Sequence, residues 1–186
     1  MLRSFFKNTV IYALQPFLSK LLLFALVPLY TRYLSTGAYG NVEYALTISA
    51  FYAAIIDMGL SNAFWNFRLS EHRQGEAKVL FNMLVATTAS GMVLLALYLL
   101  ACWVFPLDQT LTIWLVLLFL SEIGKKFYDT SLMLYTAHDK PYHFLWGGLW
   151  YALLITGLNF WFLAYLQLSE QGVVYAYVLG AILAGF

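Results

Sequence analysis

The sequence predicts an all-α integral membrane protein with about six transmembrane helices. Three observations lead there. Of 186 residues, 62% are hydrophobic and only 10% charged, whereas a soluble domain carries about a quarter charged residues. A surface of that composition suits lipid rather than water. The apolar residues gather into stretches of about 20 or more, the length that crosses a bilayer. Connections between the stretches are short, and no low-complexity tract or soluble domain interrupts them.

The first span is expected at about 9–30. Arg3 and Lys7 precede it as a signal peptide's basic region would, but Gln15, Pro16 and Lys20 break the apolar run. It continues through "LLLFALVPLY" without a small-residue cleavage site, so it reads as a retained helix. The second span, about 41–65, carries Ala45, Ser49, Ala53, Asp57 and Ser61 at four-residue spacing. Small residues in such a ridge let another helix approach closely, so Asp57 should face protein or a cavity rather than lipid. The polar segment Asn66–Lys78, "NFRLSEHRQGEAK", is long enough for a short surface helix. Further spans follow at about 79–105, 110–134 and 142–166, and a last one from about 172 is cut short at 186. In the fifth, the adjacent glycines of "WGGLW" point to close helix packing.

Basic residues set the expected orientation. With the N-terminus cytoplasmic, the inner side receives Arg3, Lys7, Arg68, Arg73, Lys78 and Lys140, and the outer side only Arg32. Trp103, Trp114, Trp161 and Tyr165 then line the outer interface, with Trp65, Trp146 and Trp150 towards the inner one.

Several function classes fall away. A net charge of +1 gives no electrostatic basis for nucleic-acid binding. The single cysteine, Cys102, forms no internal disulfide. No phosphate-cradling glycine loop, zinc motif or nucleophile elbow occurs. His72, His138 and His143 read as surface residues rather than metal ligands. An integral-membrane enzyme would need a sizeable external loop to hold catalytic groups. The outer connections, about Pro106–Gln109 and Gln167–Gln171, are too short for one. The expectation is a non-enzyme without cofactor or metal.

The chemistry is expected in the charges that fall inside the spans. Glu122, Lys125, Lys126 and Asp129 lie within an arc of roughly 100° on one helix face. Every pairing at three or four residues joins opposite signs. Counting from about residue 110 at about 1.5 Å per residue, Glu122 lies near ~18 Å and Asp129 near ~29 Å. The stripe has three readings: the wall of a water-filled cavity, a self-neutralised structural face, or an interfacial stretch whose lysines snorkel. Lys20 lies about 17 Å along its span, near mid-membrane. It needs a polar cavity, an anionic ligand, or an ion pair with Asp57 or Glu122.

The stretch "KNTVIYALQPFLSKLLLFALVPLYTRYLSTGAYGNVEYALTISAFYAAIIDMGLSNAFWNF" resembles the N-terminus of the polysaccharide-transporter (Wzx-like) flippases, of the multidrug/oligosaccharidyl-lipid/polysaccharide exporter superfamily. The likeness rests on Lys20 eight residues before Pro28–Ser35 ("PLYTRYLS"), a tyrosine-glycine turn at Tyr39-Gly40, and the segment Asp57-Met58-Gly59-Leu60 before a basic loop. It implies the N-terminal lobe, over 1–186, of a two-lobe MATE-like transporter whose C-terminal lobe lies outside this chain. It further implies a bacterial cytoplasmic (inner) membrane location and export of undecaprenyl-diphosphate-linked oligosaccharide by alternating access, for O-antigen, lipopolysaccharide, capsule or exopolysaccharide. Lys20, Lys125 and Lys126 would then bind substrate. Asp57, Glu122 and Asp129 would be their ion-pair partners or carry a coupling proton or sodium ion. Membrane lipid and polysaccharide assembly proteins are the other implied partners. The alternatives are a cation-coupled multidrug-type exporter of the same superfamily, against which the lysines argue, and a truncated membrane protein that does not transport.

Overall fold

A computed structural model describes residues 2–69, 75–105 and 108–185, and every regular element among them is helical. In chain order these are α1 (Leu2–Phe24), α2 (Leu26–Tyr33), α3 (Thr36–Asp57), α4 (Leu60–Leu69), α5 (Glu76–Val104), α6 (Gln109–Ala137), α7 (Pro141–Phe160), a π-helical turn (Trp161–Tyr165) and α8 (Ser169–Gly185).

Among the described residues, three stretches are long and apolar enough to cross a membrane: Phe6–Tyr33, Glu76–Val104 and Pro141–Tyr165. A fourth is added if Thr36–Asp57 and Leu60–Arg68, bent by 41°, form one span. Two expected spans are weaker by length and composition, each for a physical reason. The 29 residues of α6 include the four charges of the stripe, and the 17 of α8 fall short of the roughly 20 that a bilayer needs. Large apolar side chains stay exposed on the outer faces, among them Phe81, Val85, Met92, Val93, Leu97 and Leu100 of α5. A soluble protein rarely shows so continuous an apolar surface. This is a membrane protein.

The boundaries explain themselves locally. Pro28 has no N–H to give the Phe24 carbonyl, and the helix breaks at Ala25, between α1 and α2. The turn expected at Tyr39-Gly40 lies instead at Leu34–Ser35. Ser35 Oγ accepts from the Ala38 N–H at 3.2 Å and caps α3, so Tyr39 and Gly40 are already helical. Part of the segment expected as loop or surface helix, Asn66–Leu69, continues α4. Residues 70–74, with His72 and Arg73, lie outside the described residues, as do Pro106 and Leu107. Gly75 (φ 106°) then starts α5 from the left-handed region, which glycine adopts without strain.

The helices form two compact units, Met1–Glu43 with Tyr128–Phe186, and Tyr44–Phe127. In the first, α7 is the central helix, and the two glycines of "WGGLW" serve different neighbours. The Gly147 carbonyl accepts from Tyr128 Oη of α6 at 2.6 Å, and a Cβ there would meet Leu132. The Gly148 carbonyl accepts from Ser19 Oγ of α1 at 3.3 Å, and a Cβ there would overlap the Gln15 amide. Further along α7, Asn159 is wholly buried and accepts from Tyr30 Oη at 2.9 Å. The π-helical turn follows immediately.

In the second unit α3, α5 and α6 meet around Tyr52. Its ring stacks on Phe119 at 4.1 Å, and its hydroxyl donates to the Gly91 carbonyl at 2.8 Å. Leu80, Met83, Thr87, Gly91 and Leu95 form the buried stripe of α5 at helical spacing. Arg68 of α4 pairs with Glu76 at the start of α5.

Candidate functional site

Within the second unit, the polar ridge of α3 and the start of α4 meets the part of the α6 stripe formed by Glu122, Lys125 and Lys126. Ala45 and Ser49 are buried, and Asp57 and Ser61 are partly covered. Ser49 Oγ donates to Glu122 Oε1 at 3.5 Å, and Lys125 Nζ lies 3.5 Å from Glu122 Oε2. Two turns on, Lys126 Nζ donates to Asp57 Oδ1 at 2.9 Å, and Ser61 Oγ donates to the same oxygen at 2.7 Å. The four charged side chains keep between 18% and 28% of their surface open, so they are desolvated enough to need partners yet still reachable.

The backbone makes this site possible. Asp57 is the last residue of α3, and Met58 (φ 46°) and Gly59 (φ 75°) both take left-handed conformations before α4 begins at Leu60. Only glycine adopts that region freely, so Gly59 sits where the chain must turn. The break leaves the last carbonyls of α3 and the first N–H groups of α4 without partners in their own helices. Asp57 stands at the N-terminal end of α4, where a carboxylate is favoured by the helix dipole. A discontinuous helix that presents charges at its break is a common way to build an ion or anion site in a membrane protein.

The cluster holds two carboxylates and two ammonium groups and is neutral as a set.

The other expected site residues, Lys20 and Asp129, belong to the first unit. Asp129 is half-buried on α6. Lys20 is exposed, and within its unit it has no ion-pair partner among the described residues. The polar groups before it are turned elsewhere: Gln15 Nε2 donates to Ser19 Oγ at 3.1 Å, and Ser19 donates on to α7. Lys20 thus stands alone on a face it shares with Phe17, Leu21 and Phe24, all exposed.

Sequence reasoning did not foresee the break at Met58-Gly59, the partner roles of Ser49 and Ser61, or the Tyr30–Asn159 bond. Signals for each were present. A glycine after an intramembrane aspartate marks a break, serines on an acidic ridge mark hydrogen bonds, and an asparagine inside an apolar span needs a partner.

No curated protein and no solved structure matches the chain. The family described as polysaccharide biosynthesis protein matches residues 5–185, and with nearly all 186 residues inside that match the chain belongs to the polysaccharide biosynthesis protein family.

Proposed function

We propose that the chain acts in a carrier that moves undecaprenyl-diphosphate-linked oligosaccharide across a bacterial cytoplasmic membrane by alternating access. On this reading residues 1–186 are its N-terminal lobe of six spans, with the N-terminus cytoplasmic. The role is transport, not catalysis. The observation that carries the proposal is the charged seam of Asp57, Lys126, Glu122 and Lys125 inside an otherwise apolar chain of the polysaccharide biosynthesis family. Ionisable groups within a span are costly, and their usual use is to handle a charged cargo or coupling ion.

The substrate's chemistry fits. A diphosphate must leave water without losing all its charge compensation, and lysines in a hydrated cavity supply it. Lys125 and Lys126 would exchange Glu122 and Asp57 for phosphate oxygens. Lys20, without a carboxylate partner in its unit, would hold the anion without such an exchange. A proton or sodium ion on Asp57, Glu122 or Asp129 would take over the displaced negative charge and so couple transport to an ion gradient.

Disruption of the gene in its native host tests the reading. The expected result is lipid-linked oligosaccharide accumulating on the cytoplasmic side, loss of surface polysaccharide, and recovery of both on complementation. Unchanged surface polysaccharide, or disappearance of the lipid-linked intermediate itself, would remove the transport assignment; the second outcome would point to an assembly enzyme. Altered susceptibility to cationic drugs with normal polysaccharide would favour the multidrug-type exporter.

A further inference from the structure

The break between α1 and α2 opens a groove of about 450 Å³ against α7, within the volume range of small-ligand sites. Its floor is Leu26, which is buried, and Ala25, Leu29, Thr156 and Phe160 line the walls. Arg32 reaches the same groove and is its only charged lining residue among the described residues. The hydroxyls nearby are already spent: Thr156 Oγ1 donates to the Ala152 carbonyl at 2.8 Å, and Thr31 Oγ1 to the Pro28 carbonyl at 3.1 Å. The Arg32 guanidinium lies 5.8 Å from the Tyr33 ring centre, and no carboxylate of its unit pairs with it among the described residues. An apolar trough therefore ends at one guanidinium with its donors uncommitted.

We propose that this groove binds one anionic phospholipid, with an acyl chain along Leu26, Leu29 and Phe160 and the phosphate on Arg32. Trough and charge match the two halves of such a lipid, and guanidinium binds phosphate oxygens in a bidentate fork. The charge count selects the occupant. A phosphodiester carries one negative charge and is balanced by Arg32 alone, whereas a polyprenyl diphosphate would bring more charge than the groove can neutralise. The site is thus distinct from the seam of Asp57 and Lys126 and does not depend on the transport reading.

The test is native mass spectrometry of the chain released from phosphatidylcholine nanodiscs holding a minor share of phosphatidylglycerol. The expected result is retained phosphatidylglycerol above its share of the bilayer. Arg32→Gln should lower that retention roughly tenfold, as loss of a charge-assisted contact does, and Arg32→Lys should keep part of it. Thr156→Trp, which fills the trough and leaves Arg32 in place, should also expel the lipid. Retention unchanged in both Arg32→Gln and Thr156→Trp would overturn the proposal and leave Arg32 a snorkelling interfacial residue. Displacement of phosphatidylglycerol by an equal amount of undecaprenyl diphosphate would overturn it too, by giving the groove to the cargo.

Discussion

Lys126 reaches from α6 to Asp57 at the end of α3, Nζ to Oδ1 at 2.9 Å, and so ties a helix to the point where its neighbour breaks. Asp57 also accepts from Ser61 on the first turn of α4, so one carboxylate holds both sides of the break. Neither charge is easily left alone once its partner is removed, because both side chains are largely covered. Asp57→Asn and Lys126→Met should each lower export at least tenfold, with a coupling between them of about 0.5–3 kcal/mol in a double-mutant cycle. The exchanged pair, Asp57→Lys with Lys126→Asp, should recover only part, since a lysine at the start of α4 opposes the helix dipole. Additive effects in surface-polysaccharide assays, with membrane insertion intact, would show that the pair does not act as a unit.

Lys20 differs from the seam lysines because it is exposed and holds nothing together within its unit. Lys20→Ala should therefore leave expression and insertion unchanged and lower export roughly tenfold, the scale of one charge-assisted contact. Lys20→Arg should retain most activity if the need is for a cation. Normal surface polysaccharide in the alanine variant would take Lys20 out of the substrate path.

At Gly91, α5 packs tightly against Ile123 of α6 and Tyr52 of α3. A Cβ built there would lie 2.8 Å from Ile123 Cγ1 and 3.1 Å from Tyr52 Oη. Gly91→Val should destabilise the second unit by about 1–3 kcal/mol, the usual cost of overpacking. Pairing it with Ile123→Ala should relieve part of that cost. Thermal stability in detergent reads both, and an unaffected single variant would mean that α5 can shift away freely.

The parts of this molecule that were legible in the sequence are those that composition and spacing control. Helix-length apolar runs and the four-residue ridge from Ala45 to Asp57 are periodic, and that periodicity survives folding as far as the break at Met58. The glycine pair of "WGGLW" was readable as close packing, though not that Gly147 would serve α6 and Gly148 α1. Breaks were harder. Pro28 acts four residues upstream of itself, at the Phe24 carbonyl, so the interruption at Ala25 does not coincide with its cause. Tyr39-Gly40 looked like a turn because glycine suggests one, but the Ser35 cap had already begun the helix. The pairing of Asp57 with Lys126 needed the third dimension, since 69 residues separate them.

Tyr30 and Asn159 form a polar bond in a place with little access to water: Tyr30 is 4% exposed and Asn159 0%. Both ends of the Asn159 amide are engaged, with Oδ1 accepting from Tyr30 and Nδ2 donating to the Ile155 carbonyl. The bond joins α2, just past the break at Ala25, to α7, just before the π-helical turn, so it bridges two irregular points. Removing the tyrosine hydroxyl leaves a buried carbonyl oxygen without its donor, at a cost of about 1–3 kcal/mol. Tyr30→Phe should therefore lower the detergent melting temperature, and Asn159→Leu should lower it as well, by a smaller amount because the Tyr30 hydroxyl keeps Tyr177 as a partner. The double variant should be more stable than the sum of the two losses, because two apolar groups of similar shape satisfy each other. Strict additivity would mean that the hydroxyl and the amide find other partners once separated, and that the bond does not hold α2 against α7.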